Sequence, residues 1–140
     1  MRSSHKQVII DELSSHETFA ACSRDDIEAL VDAGGHFALP PQWSLLQEGV
    51  PADAAYVILE GTAHVYRERD VVATVGPGDL VGEMALLGGG QRSATVSTVT
   101  RMTGLRIDYD ALVGVLRHRP RLTEAVTSVV RARRIALSTA

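Results

Sequence analysis

The sequence has few of the features that would tie it to a membrane, an oxidising compartment or nucleic acid. Its 140 residues include one cysteine, Cys22, which cannot form a disulfide within the chain and so favours a reducing compartment. No apolar run follows the basic start, so a signal peptide is not expected. The apolar stretches are far shorter than the roughly 20 residues that span a bilayer. With a net charge of −3, we expect a cytoplasmic protein with no membrane span and no direct DNA binding.

Catalytic and metal-binding patterns are also missing from the sequence. None of the five histidines stands at the spacing typical of metal ligands: His5, His16, His36, His64 and His118. No combination of serine or cysteine with histidine and an acid can be singled out as a nucleophilic site. We therefore expect a chain that is not an enzyme, holds no metal and needs no cofactor, although it could be the regulatory part of a longer enzyme or transcription factor.

Apolar residues make up 45% of the chain and charged residues 22%, which is typical of one globular domain over residues 1–140. Residues 1–35 form a helical segment by their pattern. Its lead-in around Val8 is compatible with a short helix or an extended stretch. Ser23 and Asp26 then have the spacing of a capping box, and Gly34 stands where the helix should stop.

The periodicity changes to two between residues 36 and 107, which predicts short strands. The segments are 37–39, 44–46, 56–59, 63–66, 71–75, 94–99 and 102–107. Turn residues return every eight to twelve positions, the rhythm of an antiparallel sandwich or barrel. Helical spacing resumes over 108–140: Asp108 or Asp110 can cap a first helix, and Pro120 suits the start of a second. The stripe of this second helix, at three-to-four spacing, comprises Leu122, Val126, Val129, Val130, Arg133 and Leu137.

The most informative stretch is 81–96, where a glycine turn, an acid, three glycines and an arginine come together. Gly82 is followed by Glu83 and a predicted helical turn, whose free backbone N–H groups can seat an anion. Arg92 can donate two hydrogen bonds to a phosphate. Glu83 could accept hydrogen bonds from a sugar hydroxyl; alternatively, Glu83 and Arg92 form a surface ion pair. The pattern favours a ligand with both an anionic group and a hydroxyl, such as a nucleotide monophosphate.

This stretch resembles the phosphate-binding cassette of cyclic nucleotide-binding domains. The matching residues are Gly82-Glu83-Met84-Ala85-Leu86-Leu87 and, after four residues, Arg92-Ser93-Ala94-Thr95-Val96. Three further segments resemble that family in its order: Leu45-Leu46-Gln47-Glu48-Gly49, Tyr56-Val57-Ile58-Leu59-Glu60-Gly61 and Gly76-Pro77-Gly78-Asp79. The resemblance implies a mainly β fold, an antiparallel double-stranded β-helix or jelly-roll-like β-roll, with short N-terminal helices and two C-terminal helices.

The resemblance also implies roles for individual residues. Glu83 would hold the ribose 2′-hydroxyl, and Arg92 the cyclic phosphate. Ser93 could donate its hydroxyl to the phosphate or the base; threonine there is associated with cGMP, so serine favours cAMP and leaves cGMP open. The full set of expected ligand contacts is Gly82, Glu83, Met84, Ala85, Arg92, Ser93 and Ala94.

In the family, C-terminal helices close over the base and act on an effector, which here is unknown. No aromatic residue follows Tyr109, so Arg131, Arg134 or Leu137 would have to cap the base. The last helix could equally make a homodimer or dock a partner. The sequence therefore predicts a sensor of cAMP, or else an interaction module of the same fold with weak or lost nucleotide binding.

Overall fold

The structure of the protein is a computed structural model that describes residues 3–47, 49, 53–82 and 94–139, with the backbone alone for residues 3 and 133–139. Four α-helices lie in the described part of the chain. They are α1 (Ser3–Ser14), α2 (Arg24–Ala33), α3 (Tyr109–Leu116) and α4 (Pro120–Thr139). A short 3₁₀ turn, Glu17–Phe19, separates α1 from α2 and was not predicted.

Eight strands in the described residues form two antiparallel four-stranded sheets. The strands are β1 (Gly35–Leu39), β2 (Ser44–Leu46), β3 (Ala54–Glu60), β4 (Ala63–Arg67), β5 (Asp70–Val75), β6 (Leu80–Val81), β7 (Thr95–Thr98) and β8 (Met102–Asp108). Sheet A has the order β1-β8-β3-β6, and sheet B has the order β2-β7-β4-β5. This confirms the predicted antiparallel β-roll with flanking helices. The pattern predicts a strand before Gly82 but not its bounds, because the two residues of β6 are too few to show a period.

The helix ends test the capping predictions. Ser23 Oγ accepts a hydrogen bond from the backbone N–H of Asp26, and the Asp26 carboxylate accepts one from the backbone N–H of Ser23. The predicted capping box is therefore confirmed, and the helix ends before Gly34 as expected. The prediction for α3 needs correction: Asp108 occupies the N-cap position, but its side chain makes no capping hydrogen bond. The carboxylate of Asp108 instead pairs with Arg106.

Two hydrophobic clusters lie on opposite faces of sheet A. The first, called the helical core below, joins the helices to one face of the sheet and comprises Ile9, Ile10, Leu13, Phe19, Ile27, Leu30, Val31, Ala55, Val57, Leu80, Leu105, Ile107, Leu112, Leu122 and Val126. The second, called the roll core, lies between the sheets and comprises Leu46, Ile58, Ala63, Val75, Val81, Val96 and Met102. Neighbouring residues of β3, such as Val57 and Ile58, belong to different clusters because strand side chains alternate between faces.

The stripe predicted for the last helix is buried as far as its side chains are described. Leu122, Val126 and Val130 are at most 3% exposed, and Val129 is half-buried. The side chains of Arg133 and Leu137 lie outside the description. Neither α4 nor any other helix in the described part of the chain is long and apolar enough to cross a membrane.

Candidate functional site

The stretch singled out in the sequence runs from sheet A to sheet B. Its first strand, β6, ends at Val81 in sheet A, and its last, β7, begins at Thr95 in sheet B. Gly82 and Ala94 are described. The predicted contact residues between them, Glu83, Met84, Ala85, Arg92 and Ser93, lie outside the described residues, as do the predicted helical turn and the three glycines. The structure therefore defines both ends of the candidate site.

At the first end, Gly82 occupies a backbone conformation that favours glycine. Its φ of 84° lies in the left-handed region, where a Cβ would be strained. The preceding residue, Val81, pairs with Tyr56 of β3, so Gly82 leaves the edge of a paired sheet. The Gly82 carbonyl accepts a hydrogen bond from the hydroxyl of Tyr109. Gly82 is thus held by its strand on one side and by the start of α3 on the other.

The turn before β6, residues 76–79, is also held by hydrogen bonds. The backbone N–H of Gly76 donates to the Asp79 carboxylate at 2.7 Å, and Gly78 N–H donates to the carbonyl of Ile58 at 2.8 Å. Gly78 has a φ of 85°, and a Cβ there would lie 2.3 Å from Cγ of His16. The N-terminal segment therefore packs directly on this turn, which helps to set the direction of β6.

At the second end, Ala94 faces the interior of the roll. Ala94, Val96 and Thr98 are buried, while the residues between them are half-buried, which is the alternation of a strand with one covered face. Val96 pairs with Leu46 of β2 on one side and with Val65 of β4 on the other. A ligand contact at Ala94 would therefore lie just before a strand that is paired on both edges.

The turn between the two C-terminal helices is bound to the start of α2. Arg119 forms ion pairs with Asp25 at 2.9 Å and Asp26 at 3.2 Å. Burial alone would raise the pKa of Asp26, but hydrogen bonds from Ser23 and Arg119 outweigh burial and lower the pKa of this carboxyl. No local sequence pattern reveals this link, because the partners lie more than 90 residues apart.

The residues predicted to cap a base are only partly described. Arg131 lies on the exposed surface of α4, where its guanidinium forms an ion pair with Glu124 at 3.0 Å. Arg134 and Leu137 lie in the same helix, and their side chains are outside the description. Among the residues with described side chains, no group of three or more His, Cys, Asp or Glu is placed to hold a metal ion.

Two residues beside the site were not singled out from the sequence. Besides its hydroxyl contact, Tyr109 donates its backbone N–H to the carbonyl of Asp53 at 3.0 Å. Asp53 also pairs through its carboxylate with Arg106 at 3.1 Å. These contacts connect the residue before β3, the end of β8 and the start of α3, and Tyr109 links them to Gly82. No local pattern could have revealed them, because Tyr109 is 27 residues from Gly82.

Comparison with known proteins agrees with this architecture. A family model described as cyclic nucleotide-binding domain matches residues 37–119. The CRP-like cAMP-activated global transcriptional regulator of Mycobacterium tuberculosis is 29% identical over 101 residues, which cover 69% of this chain and 45% of that protein. A cAMP-dependent protein kinase regulatory subunit from Yarrowia lipolytica is 34% identical over 110 residues, covering 77% of this chain and 27% of that protein. The chain thus spans less than half the length of these two relatives.

Solved structures show the same fold. A cyclic nucleotide-binding domain from Methylobacillus flagellatus superposes with a TM-score of 0.76 at 25% identity, covering 97% of this chain and 82% of that one. A structure described as Sp-2Cl-cAMPS bound to PKAR CBD2 gives a TM-score of 0.86, covering 98% of this chain and 92% of that one; its 18% identity supports the fold alone. Because the family model matches more than half of the sequence and the fold agrees, the chain belongs to the cyclic nucleotide-binding domain family.

Proposed function

We propose that this domain senses a cyclic nucleotide, cAMP in preference to cGMP, bound between β6 and β7. The observation that carries the proposal is Gly82. It stands in a left-handed turn at the end of β6, held by Tyr109, and it precedes the cassette sequence within the matched family region. The printed names of two relatives, a cAMP-activated regulator and a cAMP-dependent kinase subunit, support cAMP. A relative named as a cGMP-dependent kinase keeps cGMP as the competing ligand.

We propose ligand contacts from the cassette pattern and from the chemistry of its side chains. Glu83 accepts a hydrogen bond from the ribose hydroxyl, and Arg92 donates two charge-assisted hydrogen bonds to the cyclic phosphate. Ser93 offers a hydroxyl to the phosphate or base. Backbone groups at Gly82, Ala85 and Ser93 complete the proposed seat, and Met84 and Ala94 are further proposed contacts. Each assignment rests on the sequence pattern, and the described geometry supports it at the two ends.

The proposed output of binding is a response of the C-terminal helices. We divide the domain into an N-terminal helical segment (1–35), a β-roll (36–107) with its cassette at 81–96, and hinge and lid helices (108–140). The contact between Tyr109 and Gly82 and the pairing of Arg119 with Asp25 and Asp26 support a mechanical connection between these parts. Arg131, Arg134 or Leu137 would cap the base.

The effector that reads this response is unknown. On this proposal the domain regulates and does not catalyse. Its net charge of −3 argues against direct binding to DNA, which is also negatively charged. A cytoplasmic location stays a prediction from the single cysteine.

One observation favours a second function, an interface with another copy of the chain. An open groove of about 680 Å³ lies between the 3₁₀ turn and α4, and small or apolar side chains line much of it. They include Ala20, Ala21, Ala125, Val129 and Ala132. A homodimer through α4 could fill this groove whether or not a nucleotide binds. Sedimentation of the purified protein over a range of concentrations would detect such a dimer.

Calorimetric titration with cAMP, cGMP and 5′-AMP tests the proposed function. We expect one saturable site that binds cAMP more tightly than cGMP, and little heat from 5′-AMP, which lacks the cyclic phosphate. In thermal unfolding, a ligand at 100 times its Kd should add about 2.7 kcal/mol to the free energy of unfolding. No heat and no thermal shift with either cyclic nucleotide would reject the sensor and favour the interaction module.

A further inference from the structure

We infer that Tyr109 is a positioning residue for the nucleotide site, and that its hydroxyl group sets the direction in which the chain leaves Gly82. The inference rests on the proposed function. It goes beyond that function because Tyr109 belongs to the first C-terminal helix and lies outside the sequence pattern that predicted the site.

Tyr109 is bound to the site's surroundings at both of its ends. Its hydroxyl donates a hydrogen bond to the Gly82 carbonyl, at the end of β6. Its backbone N–H donates to the Asp53 carbonyl at 3.0 Å, just before β3 begins. The half-buried side chain packs against the helical core, which limits its freedom to move away. The backbone and ring of Tyr109 are therefore held in place, and they fix the position of its hydroxyl beside Gly82.

The bonded carbonyl matters because it belongs to the peptide that joins Gly82 to Glu83. Gly82 has no side chain to pack, and its φ of 84° lies in a left-handed region that glycine can enter and leave at little cost. A peptide unit is planar, and a bond that fixes its carbonyl oxygen also fixes the plane in which the chain continues. The Tyr109 hydroxyl thus limits the path of the chain into the cassette that begins with Glu83.

Another tyrosine provides a matched control. Tyr66, in β4, is also half-buried, and its hydroxyl lies 3.5 Å from Nδ1 of His64 on the same strand, at the outer limit of a hydrogen bond. Removing the Tyr66 hydroxyl therefore makes the same chemical change without breaking a bond to the site.

The experiment compares Tyr109→Phe with Tyr66→Phe in the whole chain. We expect Tyr109→Phe to bind cAMP about 3- to 10-fold more weakly than wild type, as the loss of one neutral hydrogen bond predicts. Tyr66→Phe should stay within about twofold of wild type. In the ligand-free protein, the ¹³C shift of the Gly82 carbonyl should change in Tyr109→Phe and not in Tyr66→Phe, which separates loss of this bond from a general loss of stability.

The outcomes distinguish the inference from the function on which it rests. If wild type binds cAMP and Tyr109→Phe binds it equally well, the inference fails and the proposed function stands. An unchanged Gly82 carbonyl shift would also overturn the inference, whatever the affinity. If wild type binds neither cAMP nor cGMP, both fail together.

Discussion

The two sheets of the roll are supported differently. Sheet A carries the helical core on one face and the roll core on the other, so that Val57 and Ile58 of β3 are both fully buried although they point to opposite faces. Sheet B has the roll core on its inner face, while its edge strand β5 is largely exposed, with Val71 half open to solvent. In the described part of the chain, the first end of the candidate site, Gly82, therefore follows a strand of the sheet packed on both faces. The second end, Ala94, precedes a strand of the sheet packed on one face.

This difference between the sheets indicates which substitutions should change stability and which should change ligand affinity. The strands of a sheet packed on both faces have little room to shift, because protein interiors are close-packed and do not deform continuously. Tyr109 and the helices all attach to sheet A. We therefore expect substitutions in sheet A to cost mainly stability, and changes at the site to cost mainly affinity.

A matched pair of leucine truncations should give the largest effects on stability. Leu105 in β8 is fully buried in the helical core, whereas Leu46 lies in the edge strand β2 and is 7% exposed in the roll core. Truncation to alanine costs about 2–5 kcal/mol of the free energy of unfolding, depending on how far the cavity collapses. We expect Leu105→Ala near the top of that range and Leu46→Ala near the bottom, as measured by urea unfolding. The reverse order would contradict the comparison.

Two glycine substitutions should give effects of opposite sign. A Cβ on Gly104 in β8 would lie 2.4 Å from the carbonyl oxygen of Val57 and 2.7 Å from the ring of Phe37. Gly104→Ala should therefore cost about 1–3 kcal/mol or more by overpacking. For Gly114 in α3, no heavy atom of the described residues lies within 4 Å of such a Cβ, apart from its chain neighbours and the nearby backbone of its own helix. Gly114→Ala should stabilise the protein by up to about 1 kcal/mol through helix propensity. Thermal unfolding of both variants would test this, and similar losses in both would refute it.

Asp26→Asn should lower the free energy of unfolding by an amount that depends on pH. The pKa of Asp26 is lowered in the folded state, so its contribution is present above the unfolded pKa of about 3.9 and is lost as the pH falls through the folded pKa. We expect the substitution to cost about 1 kcal/mol at pH 7, because it weakens the hydrogen bonds that the carboxylate accepts from Ser23 N–H and Arg119. The difference from wild type should shrink below pH 4.

Asp25→Asn is the control for that measurement. Asp25 is 77% exposed and also pairs with Arg119, so this change should cost under about 1 kcal/mol. Urea unfolding at pH 7 and pH 3 would compare the variants. A difference between Asp26→Asn and wild type that is as large at pH 3 as at pH 7 would count against the ionic contribution.

Arg131→Ala should have the smallest effect on stability. Its ion pair with Glu124 joins side chains that are 62% and 66% exposed, and such pairs contribute about 0–1 kcal/mol. If Arg131 caps the base, the substitution will weaken cAMP binding while leaving thermal unfolding of the ligand-free protein nearly unchanged. Unchanged affinity would remove Arg131 from the proposed cap and leave Arg134 and Leu137.

Much of the fold can be predicted from local patterns in the sequence. Period two marked the strands, the Ser23 and Asp26 spacing marked the start of α2, and Pro120 marked the start of α4, because each depends on residues close together in the chain. The short β6 gave no period. The side chain of Asp108 pairs with Arg106, two residues earlier on the same face of β8, and therefore does not cap α3.

Less of the candidate site can be predicted from local sequence patterns. Its residues were identified by their spacing and by resemblance, and the described structure places Gly82 and Ala94 at its two ends. The contacts that connect it to the helices, Tyr109 with Gly82 and Arg119 with Asp26, join residues far apart in sequence. Such contacts depend on tertiary packing, which leaves no periodic trace in either segment.

The most direct test of the account is a calorimetric titration of wild type and Arg92→Ala with cAMP. We predict that wild type binds at one site and that Arg92→Ala loses about 2–5 kcal/mol of binding free energy, because the buried phosphate is left without its charged partner. Thermal unfolding of the ligand-free variant should match that of wild type. Equal affinity of the two proteins for cAMP would contradict the assignment of the site.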